Sequence, residues 1–244
     1  MISLLRILYA AVAILATGPM QHAEAQTAGQ QGAAPTAPAP IQGNIYSVTY
    51  IEVMPTAKAT AVRLLKTYRD ATRQEDGNLR CELLERSGAG HQFAVLEVWK
   101  DQSAFEAHNK SAILALTREK IAAIRNAPTD ERVHVGLSVG PVESKPARGA
   151  FYVVTHVDVI PPRKDDGIAA VKMLGDDSRR QDGNIRFEVA QQTNRGNHFT
   201  IMEVWKDEMS AHKHSMTDAA RSFRDKLGSM TGALYDERMY RAVN

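Results

Sequence analysis

The chain has 244 residues, with 30 lysines and arginines against 28 aspartates and glutamates and a formal net charge of +2. Neither sign clusters along the sequence, so it contains no basic surface of the kind that nucleic acid binding requires. A single cysteine, Cys81, excludes an internal disulfide, and the fold must therefore be stabilised by its hydrophobic core.

The first 25 residues have the pattern of a secretory signal peptide. Arg6 ends a short positive region, residues 7–16 form an apolar run, and Ala23-Glu24-Ala25 has the small-x-small pattern of a cleavage site. The apolar run is too short to span a membrane permanently. We therefore expect cleavage after Ala25, a periplasmic or secreted protein, and no stable membrane anchor. Residues 26–43, rich in Gln, Ala and Pro, predict a disordered tether.

The remainder of the chain contains one pattern twice, at an offset of 106 positions. Glu97-Val98-Trp99-Lys100-Asp101 recurs at 203–207, and the block from Asp76 to Glu82 recurs at 182–188. About twenty positions between residues 46 and 111 are identical at this offset without a gap. Such self-similarity indicates a duplicated domain. We expect the first domain at 44–140, a linker at 141–149 and the second domain at 150–244.

Each repeat predicts the element order strand, helix, strand, strand, helix, strand. The elements are bounded by β-branched and aromatic runs, by Pro55, by the turn at Asp76-Gly77-Asn78, and by Asp101 as a helix N-cap. In the first repeat they are predicted at 45–53, 57–74, 79–86, 91–100, 102–125 and 131–139. This order defines a ferredoxin-like α+β unit, in which both helices cover one face of an antiparallel sheet.

The third strand of each unit is mainly apolar on both faces, so both faces should be covered. The helices cover one face, and the sheet of the other repeat is the simplest cover for the second. We therefore predict a single-chain, pseudo-dimeric α+β barrel in which the two repeats pair with each other. Further oligomerisation stays open.

The combined pattern resembles the antibiotic-biosynthesis monooxygenase domain. The resemblance rests on Asp-Gly-Asn-x-Arg-[Phe/Cys]-Glu, then Glu-Val-Trp-Lys-Asp, with a histidine nine residues after the tryptophan, and it covers 44–140 and 150–243. Members of that family are usually dimers of one such domain, and this chain resembles two of them fused. The resemblance implies oxidation of phenolic polyketides or quinols by O2 without metal or flavin, and a related branch degrades haem. A shared fold does not fix the activity.

Two pairs of side chains that recur at the repeat offset are candidates for chemistry. His108 and His214 are candidate general bases or hydrogen-bond donors for a phenol, and the alternative role is packing of the helix. Trp99 and Trp205 offer a flat wall for an aromatic ligand, and the alternative is a buried core residue.

Glu97 and Glu203 lie on an otherwise apolar strand face, where a carboxylate must be paired or have a raised pKa. They are candidate substrate-binding residues, although ion pairs with Arg80 and Arg186 are favoured. The first strands differ at Tyr50, which corresponds to His156 in the second repeat. With Tyr152 on the same strand face, His156 favours the second repeat as the active one, and all three residues are candidate substrate contacts.

Other signals are weaker. Gly136-Leu-Ser-Val-Gly140 matches a nucleophile elbow, but Pro141 follows where a helix is required. His212 and His214 are two apart on a predicted helix and point to different sides, which makes a poor metal pair. The sequence contains no dinucleotide fingerprint, phosphate loop or Cys-x-x-Cys, and we expect neither a metal nor a bound cofactor.

Three functions fit these observations. The first is an exported, cofactor-independent monooxygenase that oxidises a quinol-like or polycyclic phenolic substrate with O2 inside a shaped apolar cavity. The second is a non-catalytic module that binds a small aromatic or apolar molecule. The third, haem binding or degradation, is disfavoured because neither 109–127 nor 215–234 contains the histidine that the resemblance to haem-degrading relatives would require.

Overall fold

A computed structural model describes residues 41–142 and 149–244. The predicted signal peptide, the tether up to residue 40 and the linker between 143 and 148 lie outside the described residues. The described strands are β1 (Ile45–Glu52), β2 (Asn78–Arg86), β3 (Gln92–Trp99), β4 (Asp130–Ser138), β5 (Phe151–Asp158), β6 (Asn184–Gln192), β7 (His198–Trp205) and β8 (Asp236–Ala242). The described α-helices are α1 (Lys58–Thr72), α2 (Gln102–His108), α3 (Ala112–Ala122), α4 (Lys164–Ser178), α5 (Glu208–Ser215) and α6 (Asp218–Gly228).

The eight strands form one closed antiparallel barrel in the order β1-β3-β2-β8-β5-β7-β6-β4. The repeats are joined at two seams, where β8 pairs with β2 and β4 pairs with β6. The last strand of each repeat therefore pairs with the first strand of its own repeat on one side and with the other repeat on the other side. The predicted pseudo-dimeric α+β barrel is confirmed.

The third strand of each repeat separates two cores. In β7, Phe199, Ile201 and Trp205 pack in the layer between the sheet and the helices, whereas Met202 and Val204 face the barrel interior. All of these side chains are buried. The period-2 alternation of a strand thus places Glu203 on the helix side, together with Trp205.

The predicted helix at 102–125 is wrong in one respect, because it is two helices. Ser111 begins α3 as an N-cap, and its Oγ accepts a hydrogen bond from the Leu114 amide at 3.3 Å. Thr217 caps α6 in the same way in the second repeat, at 3.2 Å from the Ala220 amide. The break leaves His108 at the end of α2, rather than inside a long helix.

Within the described residues, no helix is both long enough and apolar enough to cross a membrane.

Candidate active site

The ion pairs that the sequence predicts for Glu97 and Glu203 are not formed. Arg80 lies opposite Val98 in the β2–β3 register, so its side chain enters the barrel interior while that of Glu97 points to the helices. Arg186 lies opposite Val204 in the same way. Within residues 41–142 and 149–244, neither glutamate contacts an arginine or lysine. The prediction failed because a bulge shifts the start of β2 and β6 relative to their partners.

The two arginines form ion pairs across the repeats instead. Arg80 Nη2 lies 2.6 Å from Glu188 Oε2, and Arg186 Nη2 lies 2.5 Å from Glu82 Oε2. Tyr152 donates its hydroxyl to Glu82 Oε1 at 3.0 Å. The arginines hold the pKa of Glu82 below its usual range although burial opposes this shift. This buried network fixes one repeat against the other.

In the second repeat, a carboxyl and an imidazole meet beside a tryptophan. Trp205 donates its indole N–H to Glu203 Oε2 at 2.8 Å, and His214 Nε2 lies 3.7 Å from the same oxygen. The rings of Trp205 and His214 are stacked with centroids 4.8 Å apart. His214 Nδ1 donates to the amide oxygen of Gln181 at 2.9 Å, so Nε2 carries the lone pair that faces Glu203.

Glu203 and His214 line a cavity of about 220 Å³ between the sheet and the helices α4 to α6. Its walls are mostly apolar and aromatic, and Arg224 and Tyr235 add polar groups. The other lining residues are Ser87, Phe151, Val153, Leu174, Glu208, Ala211, His212, Ser215, Ala220, Phe223, Glu237 and Met239. An apolar cavity with a few convergent polar groups is the usual form of a small-molecule site.

Burial shifts both titratable groups of this site toward their neutral forms. It raises the pKa of Glu203 to about 8, because the charged carboxylate is deprived of water and no cation compensates. It lowers the pKa of His214 to about 4, and the positive charge of Arg224 adds to this effect. At pH 7 a neutral imidazole therefore faces a carboxyl that is mostly protonated. Strongly shifted groups in a cavity are typical of functional sites.

The first repeat has the corresponding glutamate and histidine, but a tyrosine fills the space in front of them. Tyr68, which stands where the second repeat has Leu174, donates its hydroxyl to Glu97 Oε1 at 2.5 Å and lies 2.8 Å from His108 Nε2. His108 Nδ1 contacts Glu75 at 3.0 Å, where the second repeat has the uncharged Gln181. The corresponding cavity is about 50 Å³ and is lined by Tyr68, but neither by Glu97 nor by His108.

The other candidate residues divide between two faces of the sheet. Trp99 and Trp205 are fully buried behind the histidines and do not line these cavities. Tyr50, Tyr152 and His156 face the barrel interior or its end, on the opposite side of the sheet from Glu203. The structure therefore does not bring them together with His214 in one site.

Sequence reasoning missed Leu174 and Gln181, the residues that distinguish the second site from the first. The sequence contains these differences, since Tyr68 and Glu75 of the first repeat correspond to Leu174 and Gln181 of the second. A comparison of identical positions alone does not detect them.

The fold and the site define a class of protein, the α+β barrel built from two ferredoxin-like units with a cavity between sheet and helices. A family model described as Antibiotic biosynthesis monooxygenase matches residues 44–120 and 150–226, and the chain belongs to this family. It is 31% identical over 81 residues to Putative monooxygenase YcnE of Bacillus subtilis (strain 168), a match that covers 33% of this chain and 85% of that protein.

Solved structures of the same fold span nearly the whole barrel. A monooxygenase, also described as putative, from Fusobacterium nucleatum subsp. nucleatum aligns with a TM-score of 0.72 at 16% identity, covering 83% of this chain and 93% of that one. An anthrone oxidase-like protein aligns with a TM-score of 0.67 at 12% identity, covering 83% and 92%. At these identities, the likeness establishes the fold alone.

Proposed function

We propose that the protein is an exported monooxygenase that oxidises a quinol-like phenol with O2 in the cavity of the second repeat. The observation that carries this proposal is the pairing of a carboxyl of raised pKa with a neutral imidazole in an apolar cavity. The signal-peptide pattern supports export, and the family resemblance supports a reaction that needs no cofactor.

Glu203, rather than His214, is the better general base. A base works best when its pKa lies near the working pH, and a group of pKa about 8 accepts a phenolic proton far more readily than one of about 4. Neutral His214 is stacked on Trp205 with Nε2 3.7 Å from Glu203 Oε2, and it fixes the wall of the cavity beside the carboxylate. The identification of His214 as the base is therefore revised to a positioning role in this proposal.

The chemistry balances with the substrate as the only reductant. Loss of the phenolic proton to Glu203 gives an electron-rich phenolate, which passes electrons to O2 in the cavity. A quinol and O2 then yield a hydroxyquinone and water, so one oxygen atom enters the ring and the other leaves as water. All four electrons come from the quinol.

The volume of the cavity limits the size of the substrate. Ligand sites for drug-sized molecules are roughly 300–1,000 Å³, and this cavity of about 220 Å³ lies below that range. It fits one or two fused rings better than a four-ring polyketide. It also leaves little room for a flavin ring beside the substrate. A menadiol-type quinol is therefore a suitable first probe.

Oxygen uptake with menadiol tests the proposal, after correction for spontaneous oxidation. We expect Glu203→Gln to reduce kcat/KM by about 100-fold or more, within the range of general-base contributions. Glu97→Gln, the matched change in the filled first repeat, should retain wild-type turnover. Equal loss in both variants, or uptake by the wild type no faster than by Glu203→Gln, would refute the catalytic proposal. Thermal stabilisation by menadione without turnover would instead favour the binding-module alternative.

A further inference from the structure

A second cluster of titratable side chains lies at the end of the barrel, away from the proposed active site. His156 and Asp158 end strand β5, and His198 begins β7 directly opposite Asp158. His156 Nε2 lies 2.8 Å from Asp158 Oδ1, and His198 Nδ1 lies 2.6 Å from the same oxygen. The three ligand-type atoms lie within 4.8 Å of one another. The side chains are 13–14% exposed, so the cluster lies close to the protein surface.

Hydrogen bonds do not explain this close approach. Asp158 Oδ1 and His198 Nδ1 are buried, and neither makes a hydrogen bond within the described part of the chain. Buried polar atoms normally have a partner, and a site that binds an ion is one of the recognised explanations when they do not. The geometry thus places a carboxylate oxygen against two ring nitrogens without a proton suitably oriented between them.

A chain of neighbours sets the tautomer of His156. His134 Nδ1 donates to the Tyr46 carbonyl at 3.3 Å, so its Nε2 accepts the Thr200 hydroxyl proton at 2.8 Å. Thr200 Oγ1 can then accept from His156 Nδ1–H, at 3.5 Å. This leaves the lone pair of His156 Nε2 directed toward Asp158. A lone pair facing a carboxylate oxygen at 2.8 Å is repulsive unless the nitrogen binds a proton or both atoms bind a metal ion.

We propose that His156, Asp158 and His198 form a binding site for a divalent first-row transition-metal ion, with solvent completing the coordination. Two imidazoles and one carboxylate are typical ligands for zinc and for other late first-row metals. Ligand distances of about 2.0–2.2 Å separate ligand atoms by about 3.0–3.5 Å, so these side chains need to move apart by about half an ångström. Thr200 would act as the outer partner that orients His156.

The surrounding charges are mixed but do not forbid a cation. Arg132 and Arg195 disfavour positive charge at the histidines, and Asp236 favours it at His156. Arg132 is itself paired with Asp130 at 2.7 Å, which reduces its effect. Asp158 and Asp236 oppose the two arginines, so the charges around His156 partly cancel.

The first repeat provides a natural comparison. It has Tyr50, Glu52 and Gln92 at the corresponding positions, and therefore no imidazole in this cluster. The sequence did not indicate the site, because His198 is far from His156 along the chain and meets it only through the β5–β7 register.

Equilibrium dialysis of the chelator-treated full chain against zinc tests the site, with the metal quantified by mass spectrometry. We expect one equivalent of zinc per chain. Asp158→Asn and His198→Gln, which installs the residue of the first repeat, should each weaken binding by more than about 100-fold, since loss of an outer partner alone costs 10–100-fold. His91→Gln, which removes a histidine near Glu52 in the first repeat, should leave binding unchanged.

Absence of saturable binding below about 1 mM zinc in the wild type would overturn the proposal. Equal binding by Asp158→Asn and wild type would also overturn it, since the metal would then bind elsewhere. Cobalt substitution of the wild type provides a second measurement that does not depend on any variant folding. Intense visible bands of a four-coordinate ion are expected, and the weak spectrum of the hexa-aqua ion would count against the site.

Discussion

Leu174→Tyr is the sharpest single test of where the reaction takes place. The substitution gives the second repeat the residue that fills the first, where Tyr68 leaves a cavity of about 50 Å³ instead of about 220 Å³. Leu174 lies on the cavity wall and is 4% exposed, so the larger ring has to enter the cavity. Its hydroxyl then reaches Glu203, as that of Tyr68 reaches Glu97 at 2.5 Å.

The expected effects on activity and on stability have opposite signs. A net hydrogen bond contributes about 0.5–1.5 kcal/mol, and filling the cavity adds buried contact area. About 1 kcal/mol corresponds to a rise in Tm of about 2–4 °C for a chain of this size. We therefore expect Leu174→Tyr to raise Tm by a few degrees while menadiol-dependent oxygen uptake falls to the uncatalysed rate.

Tyr68→Leu is the matched control. It removes the hydroxyl from the buried Glu97 and His108, and leaving such a group without its partner costs about 1–3 kcal/mol. Its oxygen uptake should not fall below that of the wild type, because the cavity of the second repeat is unchanged. Oxygen uptake by Leu174→Tyr that matches the wild type, with the fold intact by circular dichroism, would refute the assignment of the cavity as the reaction site.

Three further results are expected from the charges of the two buried clusters. kcat/KM for menadiol should rise with pH through about 8 as Glu203 loses its proton, and a flat profile in buffered stopped-flow assays would exclude it as the base. Because the folded-state pKa of Glu203 is raised from 4.5 to about 8, its contribution to stability is fully present below pH 4.5 and is lost as pH rises through 8, at about 1.4 kcal/mol per unit. Glu203→Gln should therefore unfold at higher denaturant concentration than the wild type at pH 9 but not at pH 4, and equal midpoints at both pH values would contradict the raised pKa. Arg80→Met leaves Glu188 buried without its closest cation and should lower the free energy of unfolding by about 3–5 kcal/mol, whereas a loss below 1 kcal/mol by urea titration would show that the network is not important for stability.

The barrel could be predicted from sequence because its determinants are local or repeated. The duplicated Asp-Gly-Asn turn, the N-cap at Asp101 and the two-sided apolar third strand each restrict the choice of fold. The break in the second helix was missed because Ser111 is a polar residue at an ordinary helical position until its side chain is seen capping Leu114.

The site was only partly predictable. The Glu-Trp-His triplet of each repeat was identified from spacing, and the structure places its members in contact. The predicted partner of each glutamate was wrong, because the bulge between Asn78 and Arg80 changes the strand face on which the arginine lies. A shift of one residue in register moves a side chain to the other face of the sheet, and sequence spacing does not reveal such a bulge.

The first repeat has the smaller cavity, yet the two seams of the barrel explain why it is still needed for the barrel to close. The second repeat alone would expose the edges of β8 and β6, which pair with β2 and β4 in the intact chain. It would also leave Arg186 and Glu188 buried at a seam without their partners from the first repeat. Since Glu188 corresponds to Glu82 at the repeat offset, a second copy could supply the missing carboxylate. Residues 149–244 expressed alone should therefore form a homodimer with two open cavities, and Glu188→Gln should reduce its dimerisation. Light scattering after size exclusion checks this expectation, and a folded monomer that oxidises menadiol would show that the seams are not needed for the active fold.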